Sequence, residues 1–541
     1  MDKEEKGIHK HWSEWLAERV IEEKKEPYVI TGGMTTSGPS HYGTLCELLF
    51  PQAIKTALEK RGKRITYYFI ADILDAFDSV PVAMEEFKSQ LEPYLGKPLC
   101  NVPDPTGKSK SFGDHYLDEA RELMKKFGIS CQVIRVNEYY EQGKFDEWAR
   151  FYLKNEKEAK RIVEETSGKQ EKKDWFPLMP ICENCGRIAT TRVLSHDGET
   201  YEYICDRDVK YTKGCSFQGK AKISDHKYKI TWRLHWPAWK QIFHSSIEGA
   251  GMDHHTKGGS EDTCKAITLN LMTSKFGAPN LLHRGGTATP HEADYHIPFK
   301  FGFVLFQGKK YSKSKGTGMG ITEISMLIPP EIIKYMLLKP DLEENIDINP
   351  TPENMLKTME DFQLASELAN KDKETLNRHE RKAAIAFGLS ADKLNWKVPF
   401  LDVLLYYQIY GDWETVSELT KDPSGVQYLK PYVEEWVNKQ FMPEDYRFKY
   451  QPVRIEASST VGAVISGRGN KDVRAFIEKL TPDMDALAIH NAVFDFSKSK
   501  GIEPKVLFSE IYEALIGKPK GPRLGKLLSA LGVDRVKKDL L

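Results

Sequence analysis

Residues 28–45 read YVITGGMTTSGPSHYGTL. A short apolar run gives way to Gly, Ser, Thr and Pro, and then to a segment rich in Leu and Phe. That order predicts a strand, a glycine-bearing turn and a helix. Beyond the helix, RITYYFIAD at 64–72 predicts a second strand that ends on an acidic residue. Strand, turn, helix, strand is the βαβ unit of a nucleotide-binding parallel sheet. Upstream, residues 8–24 predict an amphipathic helix with Trp12, Trp15, Leu16, Val20 and Ile21 on one face.

Downstream the pattern changes. PDPTGKSKSFGDH at 103–115 is broken by Pro and Gly, a highly charged helical stretch follows, and then come short strands with cysteines. We expect an insertion over 96–230 that splits an α/β Rossmann-type catalytic domain into halves at 1–95 and 231–324. From about 325 the spacing is helical nearly to the end, as in PPEIIKYMLL and VPFLDVLLYYQIY, which predicts an all-α domain over 325–541.

With 541 residues, two or three domains are expected. Charged residues make up 29% of the chain and hydrophobic ones 40%, the balance of a folded, soluble protein. The 78 basic and 78 acidic side chains cancel, so nucleic-acid binding must come from local basic surfaces. The charged start, MDKEEKGIHK, does not read as a secretory signal, and no apolar run is long enough to cross a bilayer. Eight cysteines are too few for a disulfide scaffold, which points to a reducing, cytoplasmic setting and a metal site among them.

Two segments carry phosphate chemistry. PSHYGT at 39–44 stands where the first strand passes into the helix. Free N–H groups at a helix start attract phosphate oxygens, His41 can donate to them, and Gly43 leaves room for a flat base. Taken alone this is also ordinary loop chemistry. Lys310, Ser312, Lys313 and Ser314 lie in KYSKS, followed by KG. Two lysines on a glycine-flanked loop can clamp phosphate and neutralise developing charge, although such a run alone is also a solvated basic loop.

As a pair, in this order and with an insertion between them, the two segments resemble the HIGH and KMSKS signatures of class I aminoacyl-tRNA synthetases. The departures are Tyr42, Thr44 and Tyr311, while His41, Gly43, Lys310 and Lys313 match. Further stretches resemble the archaeal-type class I lysyl-tRNA synthetases. HWSEWLAERVIEE resembles that family's opening helix, and GMTTSGPSHYG its GITPSGxxHxG segment. TWRLHWPAWK, GAGMDHHTKGGSEDT and PPEIIKYMLLKPDLEENIDINP resemble further family segments, and LFSEIYEALIGKPKGPRLGKLLSAL resembles its C-terminal cage. The resemblance covers essentially the whole chain.

It implies activation of L-lysine by ATP with Mg²⁺, then transfer to the 3′ end of tRNA. His41, Gly43, Lys310 and Lys313 take the catalytic positions. Ser37, Gly38, Thr44, Ser312 and Ser314 join them around ATP. Gly33 and Thr35 match positions that hold the α groups of the amino acid, and Trp232 and His254 match residues around the lysine. At 235 this chain has His where the family usually has Asp, and the family's DDxD segment is reduced to Asp72 and Asp75. Asp72 is the candidate carboxylate for the ammonium, or else a strand-end cap. Lys518, Lys520 and Arg523 are candidate tRNA contacts, or solvated surface charges.

Cys182 and Cys185 form CENC, followed by Gly186, a knuckle turn that bends round a metal. Cys205 and Cys215 follow after 19 and nine residues and complete a structural zinc site, with Asp206, Asp208 or His226 as alternative ligands. The family's second metal cluster is reduced to Asp104 and His115, with Lys108 and Ser109 in ligand positions, so that site is expected to be empty. Cys46, Cys100, Cys131 and Cys264 read as ordinary thiols.

Three other readings compete. A glutamyl/glutaminyl-type synthetase would need an arginine-rich pocket, of which Arg233 is the one hint. A non-catalytic tRNA-binding paralogue would fit the altered motifs. A small nucleotidyltransferase on the same sheet is disfavoured by the long helical C-terminal half.

Overall fold

A five-stranded sheet organises the first part of the computed structural model, which describes residues 10–272, 295–310, 319–455 and 469–541. Its strands are β1 (Tyr28–Met34), β2 (Ile65–Ala71), β3 (Gln132–Arg135), β4 (Ile247–Gly251) and β5 (Ile297–Phe301). All four pairings are parallel, in the spatial order β5-β4-β1-β2-β3. The order reverses between β1 and β4. In such sheets the ligand crevice lies beyond the carboxyl ends of the strands at that reversal.

The expected βαβ unit is present. β1 is followed by α1 (Tyr42–Glu59), and β2 pairs with β1 in register over its whole length, Tyr28 opposite Ile65 through Met34 opposite Ala71. Apolar runs buried on both faces suit a parallel sheet. Ile30, Phe69, Ile70 and Ala71 are fully buried. The opening helix runs over Trp12–Glu23 and packs on α1.

The third strand comes from within the stretch expected as an insertion. α2 (Phe112–Phe127) crosses over and delivers β3, so the first half of the sheet runs to Arg135. Its four-residue strand is too short to stand out as an apolar run beside a helix as amphipathic as α2. The segment from Val136 to Thr231 then holds three helices, a three-stranded antiparallel sheet (Thr191–His196, Thr200–Cys205, Gln218–Lys222) and the pair Leu178–Pro180 with Tyr228–Ile230. The last strand of that pair runs straight into α3 (Trp232–Ile242), which precedes β4.

By backbone contacts the chain forms two units. The first comprises Met1–Ile321, Ile333–Asn349 and Glu367–Ser390, and the second Thr322–Ile332, Pro350–Ser366 and Ala391–Leu541. The described residues of the second unit are helical apart from loops and short turns. Phe476, Ile477, Ile489, Val493, Leu507, Ile511, Leu527 and Val536 meet in one of its cores. Among the described residues, no helix is long and apolar enough to cross a membrane.

Candidate active site

The crevice forms where topology places it. Met34 ends β1, Gly251 ends β4, and both line a cavity of about 260 Å³ with His41, Gly43, Thr44, Glu47, Asp253, His254 and Phe301–Val304. Four residues singled out in the sequence, His41, Gly43, Thr44 and His254, therefore line one cavity. On another side the hairpin of Val304–Phe306 and Lys309–Lys310 begins, with Leu305 opposite Lys310. The side chain of Lys310 and residues 311–318, with Ser312, Lys313 and Ser314, lie outside the described residues.

His41 is the N-cap of α1. Its Nδ1 accepts the N–H of Thr44 at 3.1 Å, and the Thr44 hydroxyl accepts the N–H of His41 at 3.2 Å, a reciprocal capping box. A ring whose Nδ1 accepts must, when neutral, carry its proton on Nε2. The cap thus makes His41 a hydrogen-bond donor at a helix N-terminus, where the backbone also favours anions. Gly43 is needed by this histidine: a Cβ on it would stand 2.7 Å from His41 Cε1. Ser37 and Gly38 lie in the preceding loop, which is pinned to α2 by Thr36 Oγ1 donating to Gly113 O at 2.8 Å and by Ser40 N donating to Glu119 at 2.7 Å.

Three acidic residues here escaped the sequence reading. Glu47 lies one turn after Gly43, the single charge in the first three turns of α1, and that charge was its signal. Burial, Glu248 and Asp253 push its carboxyl well above the usual range. Glu248, buried on β4, accepts from Trp236 Nε1 at 2.6 Å, from Trp239 Nε1 at 3.3 Å and from Thr31 Oγ1, and so ties α3 to the sheet. No local pattern marks it.

Of the amino-acid candidates, Gly33, Thr35 and Asp72 stand at the ends of β1 and β2, Trp232 and His235 lie on α3, and His254 follows β4. A Cβ on Gly33 would lie 2.5 Å from Ile70 O, so glycine is required for the two strands to meet there. Thr35 Oγ1 donates to Asp75 Oδ2 at 2.5 Å. Asp72 follows β2, is 1% exposed and receives Lys229 Nζ at 2.7 Å. Trp232 starts α3, stacks on Trp236 and donates Nε1 to Ser260 Oγ at 3.2 Å, and His254 packs against Trp236. His235 is fully buried beside Tyr140, Phe145 and Trp239, and burial with Lys229 nearby keeps it neutral. Arg233 is engaged, with Nη1 donating to Thr263 Oγ1 at 2.6 Å and Gly258 O at 3.4 Å.

In the inserted segment the sulfur atoms of Cys182, Cys185, Cys205 and Cys215 lie within 4.8 Å of one another. The Cys182–Cys215 and Cys185–Cys205 sulfur distances are both 3.7 Å. Tetrahedral zinc at the usual bond length separates its sulfurs by roughly 3.8 Å, so the cluster fits that ion. Gly186, at φ +72°, donates to Cys182 O at 2.8 Å and closes the knuckle. The alternative ligands are engaged elsewhere: Asp206 with Arg192, Asp208 with Lys213 and His226 with Asp146. Asp104 accepts the N–H groups of Thr106, Lys108 and Ser109 and stands 3.2 Å from His115 Nδ1, in a turn of its own segment.

In the second unit Lys520 and Arg523 are exposed, and Lys518 Nζ donates to Arg447 O at 2.5 Å. Lys520 lines a cleft of about 530 Å³ with Phe494, Lys505, Phe508 and Tyr512.

Comparison with known proteins adds two findings. The family profile for tRNA synthetases of class I (K) matches residues 10–393. Proteins named lysine–tRNA ligase are similar end to end. That of Archaeoglobus fulgidus is 30% identical over 97% of this chain and 98% of its own. Those of Thermoplasma acidophilum and Methanocaldococcus jannaschii are 27% and 28% identical, with 96% and 97% of this chain and 97% and 98% of theirs covered.

Proposed function

The chain belongs to the class I (K) tRNA synthetases, and from that premise we infer that it is a lysine–tRNA ligase. It activates lysine with ATP, releasing pyrophosphate, and transfers the lysyl group to tRNA. The observation that carries this is similarity along 97% of the chain to proteins of that name, covering 98% of the first relative. The engagement of Arg233 with Gly258 and with Thr263 on the following helix removes the one feature that favoured a glutamyl-type pocket.

The lysine carboxylate is ionised at neutral pH and attacks the α-phosphorus of ATP without a strong base. What the enzyme must supply is alignment and charge stabilisation. His41 Nε2–H and the start of α1 are suited to the phosphate oxygens, with Lys310 and Lys313 as partners and Mg²⁺ on the phosphates. Gly43 serves ATP indirectly, by leaving space for the His41 ring. Gly33, Thr35, Asp72, Trp232, His235 and His254 form the amino-acid side of the site. Cys182, Cys185, Cys205 and Cys215 hold one structural zinc, which stabilises a segment with few long elements of its own. The second unit holds tRNA. Exposed Lys520 and Arg523, with the half-exposed ring of Phe494, offer phosphate contacts and a stacking surface for unpaired bases.

Pyrophosphate–ATP exchange across the twenty amino acids, with cognate tRNA present, tests this reading. Exchange is expected with lysine. Exchange with another amino acid and none with lysine would overturn the specificity, and no exchange with any would leave a tRNA-binding paralogue.

A further inference from the structure

Beyond β2, two carboxylates share one cation from within the protein. Lys229 lies on the last strand of the inserted segment, and its Nζ donates to Asp72 Oδ2 at 2.7 Å and to Asp75 Oδ1. Lys229 and Asp72 are 2% and 1% exposed at their side chains, whereas Asp75 is 38% exposed and opens the cluster to the outside. His235 adds no charge, because burial and the neighbouring ammonium hold it well below its ordinary range. Tyr140, whose hydroxyl accepts the N–H of Ile230 at 3.0 Å, is kept a neutral phenol by burial. Asp78 is exposed and solvated, outside this count. Two carboxylates against one ammonium leave a single negative charge.

Hydrogen-bonding capacity is left over in the same place. Asp72 Oδ1 and both ring nitrogens of His235 are buried, and among the described residues none has a hydrogen-bond partner. His235 Nδ1 stands 3.6 Å from Asp72 Oδ2, so the spare groups belong to one cluster. Buried polar atoms in native proteins are nearly always partnered, and a buried charge is paired. A neutral imidazole carries one N–H, which Nδ1 can turn towards Asp72 Oδ2 3.6 Å away, and leaves Nε2 as an acceptor, while a carboxylate oxygen accepts more. The group that completes this cluster therefore carries one positive charge and several N–H donors, which describes a primary ammonium.

We infer that Lys229 is a specificity-determining residue of the amino-acid pocket: by neutralising one of the two carboxylates, it leaves a receptor of charge minus one that matches the single ammonium of a lysine side chain. This rests on the ligase reading and adds to it how the charge is set. Through Asp75, Lys229 also positions the Thr35 hydroxyl.

A charge-count series tests the inference by lysine-dependent pyrophosphate exchange in the full chain with tRNA, each variant first checked by circular dichroism and thermal melting. Asp75→Asn brings the count to zero and should raise the KM for lysine by about tenfold or more, with kcat changed by less than about threefold. It should also improve competition by norleucine, which is lysine without its side-chain ammonium. The double variant Lys229→Met with Asp75→Asn restores the count to minus one and should return the lysine KM to within about threefold of the parent, as should Lys229→Arg. Asp75→Ser replaces Asp75→Asn if the latter folds poorly. A double variant no better than Asp75→Asn would show that Lys229 is only a brace, and an unchanged KM in Asp75→Asn would overturn the inference outright. A parent protein without lysine-dependent exchange would instead sink the ligase reading itself.

Discussion

His11 and His41 each stand one residue ahead of a helix and accept a backbone N–H on Nδ1, from Ser13 at 3.2 Å and from Thr44 at 3.1 Å. Both are therefore neutral with the proton on Nε2 when they cap. At His11 that proton is donated to Leu338 O at 2.8 Å, and the ring is fully buried. At His41 the ring lies over Gly43 and lines the crevice at the strand-order reversal. The same local device is enclosed in the core in one place and lines the crevice in the other, although the capping chemistry is common to both.

Substitution of the two caps should break them apart most sharply. His41→Ala is expected to lower kcat for lysine-dependent exchange by about 10²–10³, the cost of a lost oxyanion-type donor. His41→Asn keeps a good cap and lacks the Nε2 donor, so it should lose as much activity while melting close to the parent. His11→Ala should melt lower yet keep the parent kcat per folded molecule. Equal kcat losses at 11 and 41 would erase the distinction.

Gly43→Ala sharpens the same point. The new Cβ would overlap His41 Cε1 at 2.7 Å, so the ring must turn. Displacement of a catalytic group by about 1 Å can cost on the order of a hundredfold, and a fall in kcat of about tenfold to a hundredfold is expected, with lysine KM nearly constant.

A pH series separates the caps by stability. Burial lowers the pKa of His11 from its ordinary 6.5 to about 4. Between those values the unfolded chain binds a proton that the folded chain refuses, so stability falls as pH drops through 6.5 towards 4. The expected loss is about 2 kcal/mol at pH 5 relative to neutral pH, read from urea midpoints. His11→Asn should flatten that slope, and an unchanged slope would place the titration elsewhere. The smallest effect is expected from Thr44→Val, which removes one arm of the capping box and should cost about 1 kcal/mol of stability.

Much of the fold was legible in the sequence because its signals are local. The run 28–45 places β1, the turn and α1, since an apolar strand, a glycine-rich turn and a helix each leave their period within a few residues. The clustering of the four cysteines was legible as well, because cysteines are few and a knuckle has a fixed spacing. β3 was not, as four residues between charged helices carry no period. Glu47, Glu248 and Lys229 were missed for a different reason. A charged residue on a helix or strand reads as solvated unless its burial is known, and burial belongs to the packed fold.

By itself the sequence determined the strand–turn–helix that presents His41 and the set of residues able to hold a metal, while the class of chemistry came from the resemblance of its motifs, in their order along the chain, to a known family. The strand, turn and helix depend on interactions among near neighbours, whose geometry the covalent chain already restricts. Only the tertiary structure decided which histidine faces the crevice, and that Lys229 meets Asp72 across 157 residues of chain. Such a contact exists because the inserted segment returns its last strand to the end of β2. The charge it leaves behind is a property of three side chains together, carried by none of them alone.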